Sequence, residues 1–193
     1  VKELQIPISK QAVESLHVGD EVSLVGTLVT ARDAAHKVLV EDKPDFIRPY
    51  LKDSVIYHCG PVMIKQNEIW RAIAAGPTTS IREEPFEADV IREYGVRGII
   101  GKGGMGPKTS AALKECGAVY LHAVGGAAAL IADSIEEVQG VFMLEELGVP
   151  EAFWILGVNG LKATVTMDAH GQSLHEEVMK SSRIVRDRLI AAR

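Results

Sequence analysis

Short apolar runs that each stop at a glycine turn recur along this sequence, and they limit what it can fold into. Glu21–Thr30 (EVSLVGTLVT) is β-branched and partly alternating, the signature of a strand. Ser54–Tyr57 (SVIY) and Trp70–Ala74 (WRAIA) read as two more strands, closed by Gly60-Pro61 and Gly76-Pro77 turns. Between the first two, Ala31, Ala34, Ala35 and Val38 share one face of a helix over Ala31–Val40. From Phe86 onward the period changes. Phe86, Val90, Ile91 and Tyr94 fall at helical spacing, and Gly95 stops that helix. A strand over Val96–Ile100, a glycine loop over Gly101–Gly106 and a helix through Ala111–Leu113 follow. Next come a strand at Ala118–Val124 and a helix at Ala127–Val138. Trp154–Val158 and Ala163–Met167 read as a late pair of strands, before a long terminal helix with Leu174, Val178, Val185 and Leu189 on one face.

A strand-rich first half and an alternating second half predict an α/β fold with mixed sheet layers and flanking helices. No composition shift or low-complexity stretch divides the chain, so residues 1–193 read as one domain. An apolar fraction of 47% excludes disorder, and 18 glycines with 5% aromatics imply a small-residue core with many tight turns. No apolar run reaches membrane-spanning length and no signal-peptide pattern opens the sequence, which together predict a cytoplasmic protein. The net charge of −5 gives no electrostatic reason to expect nucleic acid. Cys59 and Cys116 lie far apart, too few and too separated to hold a structural metal or an iron–sulfur cluster alone.

Gly101-Lys102-Gly103-Gly104-Met105-Gly106 formally matches the G-x-G-x-x-G dinucleotide pattern. The next strand ends in Ala123-Val124-Gly125-Gly126, however, without the acidic residue that would hold a ribose. What survives is a glycine loop leading into a helix N-terminus, which offers backbone N–H groups and a positive dipole end to an anion. Lys102 adds a full charge there. The plainer alternative is a tight turn with a solvated lysine.

Gly76-Pro77-Thr78-Thr79-Ser80-Ile81-Arg82 packs three hydroxyls and a guanidinium behind a strand, where α/β domains place chemistry. Taken alone, those hydroxyls equally well satisfy the backbone of a turn. Arg32 opens the first long helix beside Asp33, its default ion partner, and His36 lies one turn on. Cys59 reads as a small buried hydrophobe.

Thr30-Ala31-Arg32-Asp33-Ala34-Ala35-His36-Lys37, the Gly60-Pro61 turn, the Gly76–Arg82 segment, Gly101–Met105 and Ala123–Ala128 occur in one order across nearly the whole chain. Together they resemble the β subunit, or C-terminal domain, of class I fumarase and of the related L(+)-tartrate dehydratase. The resemblance implies a swivelling β/β/α domain that works with a separate α subunit, whose own cysteines hold a [4Fe–4S] cluster. It implies no cluster or metal held by this chain alone, and an assembly of β–β or α2β2 type. Carried over by position, Arg32 and Arg82 bind the carboxylates of a small dicarboxylate. Thr78 matches the proposed catalytic base, Lys102 a lysine that contacts substrate at the reacting centre, and Asp33 and His36 have supporting places. The implied reaction is reversible hydration of fumarate to (S)-malate. Tartrate dehydration is the near alternative, and a non-catalytic nucleotide- or anion-binding module the distant one.

Overall fold

The computed structural model describes residues 1–191; residues 192–193 of the expected 1–193 domain lie outside the described residues. Nine strands and eight helices follow in chain order among them. They are β1 (Lys2–Ile6), α1 (Lys10–Glu14), β2 (Glu21–Thr30), α2 (Asp33–Glu41), α3 (Arg48–Leu51), β3 (Val55–Tyr57), β4 (Val62–Gln66) and β5 (Ile69–Ala74). Then come α4 (Glu87–Tyr94), β6 (Gly98–Gly101), α5 (Pro107–Cys116), β7 (Val119–His122), α6 (Ala128–Ala132), β8 (Ile135–Phe142), α7 (Leu144–Leu147), β9 (Phe153–Met167) and α8 (Leu174–Ala191). The α/β class with mixed sheets and flanking helices is as expected.

Seven strands form the main sheet in the order β1-β2-β3-β6-β7-β9-β8, and β4 with β5 makes a separate hairpin. Strands β1, β2, β3, β6 and β7 run parallel, while β9 lies antiparallel to β7, β8 and β2. Because β9 pairs with both β2 and β7, the five strands β2, β3, β6, β7 and β9 close on themselves. Closure removes two exposed edges from the sheet.

Period-two alternation sorts the strand residues into two cores. Val55, Tyr57, Ile100, Val119, Leu121, Trp154 and Leu156 join one buried cluster with β1 and α1. Ile56, Ile99, Tyr120, Phe153 and Ile155 join the other, beneath α2, α4 and α5. The second lies between the sheet and the helices. In β2 the pairing with β9 shifts between Leu24 and Val25, next to Gly26 at φ +122°. Beyond this bulge, Leu28 and Val29 still face opposite cores.

Three expectations are corrected. The helix read over Ala127–Val138 ends at Ala132, and Ile135–Phe142 is strand β8. The late pair of strands is a single 15-residue strand, in which Asn159-Gly160 sits within the strand, Gly160 at φ +78°, rather than turning a hairpin. The buried face of α2 is Ala35, His36 and Leu39, one position round from the alanine stripe. The terminal helix forms as expected, yet Val178, Val185 and Leu189 on it stay exposed.

Candidate functional site

Parallel strands present their carboxyl ends on one rim, and the segments singled out in the sequence leave from that rim. Strand β2 ends at Thr30 and leads to Arg32, which caps α2 in an extended conformation. Strand β3 leads to His58-Cys59-Gly60, β6 to Lys102, and β7 to the Gly125-Gly126 turn. Backbone bonds stitch these exits together. The Thr78 N–H donates to the His58 carbonyl at 2.6 Å, and the Lys102 N–H to the Thr78 carbonyl at 3.2 Å. The Ser80 N–H returns to the Lys102 carbonyl at 3.0 Å. Thr78 and Lys102 are half-buried on adjacent backbone.

Arg32 folds across Gly60, where an added Cβ would stand 2.5 Å from its Nη1. Its Nε is buried without a hydrogen bond, 3.4 Å from Oε1 of Glu151. The default pairing of Arg32 with Asp33 is not adopted: Asp33 pairs with Arg82 instead. Arg82, in the 3₁₀ turn Ser80–Glu83, is thereby tethered beside Arg32, with its side chain 54% exposed. The structure thus brings Arg32, Asp33, Thr78, Arg82 and Lys102 to one rim. His36 does not reach it, since it is fully buried beneath.

Below the rim lies a string of enclosed polar groups, of which sequence reasoning had named a supporting place only for His36. His36 Nδ1 is 2.9 Å from the Arg32 carbonyl, and its Nε2 is 2.9 Å from Glu87 Oε2. The same oxygen is 2.7 Å from His58 Nε2, and His58 Nδ1 is 2.9 Å from Ser80 Oγ. The Tyr120 hydroxyl donates to Ser80 Oγ at 2.8 Å and accepts from the Gly104 N–H at 3.3 Å. Burial alone would raise the Glu87 carboxyl, but the charges and hydrogen bonds of the two imidazoles bring it down to about 2. Burial opposes the charge on His36, yet Glu87 outweighs it and its pKa is raised; His58, where burial wins, is lowered. Glu83 is also enclosed, with both carboxylate oxygens unpartnered, and burial drives it up to about 8. Glu87 was visible in principle: Val90, Ile91 and Tyr94 lie three, four and seven residues on, so it sits on the buried stripe of α4.

The helix end proposed to receive an anion already has one. Glu84 accepts from the Gly106 N–H at 2.7 Å, the Lys108 N–H at 2.9 Å and the Thr109 hydroxyl at 2.7 Å. An internal carboxylate therefore satisfies the first turn of α5, leaving no room there for a nucleotide phosphate. Gly103 and Gly104 have φ of +84° and +78°, so the loop uses its glycines for a left-handed turn.

The cysteines do not suit a cluster. Cys59 is buried and its thiol is pushed up to about 12, chiefly by burial, while Cys116 is half-buried at the far end of α5. Two separated sulfurs cannot supply the ligands of a [4Fe–4S] group.

Residues 2–178 match the model of the family described as Fumarase C-terminus. A protein of Geobacillus stearothermophilus named as a class I fumarate hydratase is 54% identical over 181 residues, 93% of this chain, which spans only 34% of that relative. A protein of Methanocaldococcus jannaschii named as an L(+)-tartrate dehydratase β subunit is 44% identical, covering 90% of both chains. The L(+)-tartrate dehydratase β subunit of Escherichia coli is 38% identical over 98% of this chain and 94% of its own.

Proposed function

Since the chain belongs to the Fumarase C-terminus family, we propose that it is the β subunit of a hydro-lyase that reversibly hydrates fumarate to (S)-malate. The observation that carries this reading is the convergence of Arg32, Thr78 and Lys102 on one rim, with Arg82 tied to the neighbouring Asp33. Guanidinium groups bind carboxylates through paired hydrogen bonds and keep their charge at any working pH. Arg32 and Arg82 hold the two ends of the dicarboxylate. Lys102 stabilises the negative charge that builds on a carboxylate as the adjacent C–H proton leaves.

Thr78 is the group placed to take that proton. An alcohol is a poor base, so its own proton must pass to an acceptor, and a carboxylate of the partner subunit meets that need. Asp33 orients Arg82, and His36 fixes the backbone of Arg32. This chain lacks the sulfurs for the [4Fe–4S] cluster that the resemblance implies, so an α subunit carries it. The whole 1–193 unit then acts as one domain in a cytoplasmic α2β2 or similar assembly. Among the described residues, no helix is long and apolar enough to cross a membrane.

L(+)-tartrate dehydration is the second reading, favoured by the near full-length match to the two β subunits. Its substrate is also a C4 dicarboxylate, so the same cations would serve. The test is anaerobic co-expression with the α subunit, followed by assay of malate, fumarate and tartrate side by side. Turnover of malate and fumarate supports the first reading, and of tartrate alone the second. Thr78→Ala is expected to abolish turnover with assembly intact; near-normal turnover would remove Thr78 from the reaction.

A further inference from the structure

On the rim, Arg32, Thr78 and Lys102 each have a neighbour in the buried string beneath them. His36 holds the Arg32 carbonyl, which also accepts the His36 backbone N–H at 2.8 Å. His58 carries the carbonyl that fixes Thr78 and precedes the Gly60 on which Arg32 rests. Ser80 holds Lys102 through its backbone, and Tyr120 holds the Gly104 end of the same loop. A Cβ on Gly101 would overlap the Ser80 hydroxyl, so the loop and the string are in direct contact.

Hydrogen-bond direction can be assigned along the whole string. The Arg32 carbonyl can only accept, so His36 Nδ1 bears a proton. An ionised Glu87 also only accepts, so both Nε2 atoms that face it bear protons. His36 is then a full imidazolium, and His58, whose charge burial disfavours, is a neutral ring. The free Nδ1 of His58 accepts from the Ser80 hydroxyl, which accepts from Tyr120, which accepts from Gly104. No donor meets a donor, and the order runs one way.

His36, His58 and Glu87 would be candidates for holding a divalent ion. Ligands about 2.0–2.2 Å from one tetrahedral ion stand about 3.3 Å from each other. The observed 2.7 and 2.9 Å are those of shared protons.

We propose that Tyr120, Ser80, His58, Glu87 and His36 form a positioning device that sets the spacing of Arg32, Thr78 and Lys102 for the hydration step. This rests on the function proposed above. The five residues touch no substrate; they hold the cations and the Thr78 hydroxyl at fixed separations, and displacement by about 1 Å is worth about 100-fold in rate.

The test uses the chain co-expressed with its α subunit, as wild type, Ser80→Ala and Glu87→Gln. Ser80→Ala cuts the string between the loop and His58 while keeping the backbone bond to Lys102. Expected are a fall in kcat of about 10- to 100-fold with KM changed less, and α–β assembly as in wild type. Glu87→Gln keeps hydrogen-bonding capacity but removes the charge that holds His36 protonated. Nitrogen-15 NMR of the imidazoles should show His36 with two N–H groups in wild type and one in Glu87→Gln.

Wild-type kcat and KM in both variants would overturn the proposal, as would a neutral His36 in the native chain. So would a stoichiometric divalent ion, beyond the iron of the α subunit, that is lost in Glu87→Gln. A wild-type holoenzyme inactive on all three acids would refute the function instead. The imidazole spectrum needs no substrate, so it decides the protonation pattern in either case.

Discussion

The two faces of the closed sheet both bury apolar clusters, and they differ in the polar groups enclosed with them. On one face Val55, Leu121, Trp154 and Leu156 pack by apolar contact, and the few polar atoms end on backbone carbonyls, as Trp154 Nε1 does on Val149 at 2.8 Å. On the helical face His36, His58, Ser80, Glu83 and Glu87 are enclosed among apolar residues. Apolar burial contributes about 25 cal/mol per Å² whatever the fine geometry. Enclosed ions give little net stability, because desolvation offsets their attraction, but they are strongly directional. Both faces therefore hold the fold together by apolar burial, and the second also holds the rim in register.

The largest expected effect comes from crowding the polar face at Gly101. Gly101→Ala pushes a methyl group into the Ser80 hydroxyl and to 3.0 Å from the Tyr120 hydroxyl. It should cost about 3 kcal/mol or more in stability, measured by urea denaturation, and should also abolish turnover. Leu156→Ala, wholly within the apolar face, should cost about 2–5 kcal/mol yet leave kcat of the folded holoenzyme near wild type. A large loss of kcat there would erase the distinction between the faces.

Glu83 tests the polar face from the opposite direction. Its folded pKa near 8 stands above the ordinary 4.5, raised mainly by burial and further by Asp33, against the pull of His36. The native state therefore keeps a proton that the unfolded chain releases, and stability falls as pH rises from about 4.5 to 8. Glu83→Gln should flatten that slope and raise the melting temperature by about 2–4 °C at pH 8. Glu87 carries the reverse sign: stability from its depressed pKa is full above about 4.5 and is lost as pH falls towards 2. The smallest effect is expected at Glu84→Ala, which uncovers the first turn of α5 for about 1 kcal/mol, with little change in kcat.

Periodicity made most of the strands and helices legible, because each depends on near neighbours. It failed where one pattern had two outcomes. Ile135, Val138 and Val141 are compatible with a helix continuing from α6, and only pairing with β9 makes them a strand. Asn159-Gly160 is a hairpin signal, yet β2 pairs alongside β9 on both sides of it and keeps it straight. The rim residues were legible as a set of ordered motifs. Of their supports only His36 was legible, as a neighbour of Arg32; His58, Ser80 and Tyr120 come from separate segments that only the closed sheet brings together. Glu84 was equally hidden: its role requires a helix whose N-cap, Gly106, lies 22 residues later.

That Glu84 carboxylate gives helix α5 its own counter-ion. A phosphorylated metabolite arriving at the rim meets a neutralised helix end, so the generic lure of a glycine loop for phosphate is switched off from within. Under the proposed function, selectivity for small unphosphorylated acids would then fall to Arg32, Arg82 and Lys102, which can be retuned singly. A neighbouring substrate becomes reachable by side-chain changes alone, with the scaffold left as it stands.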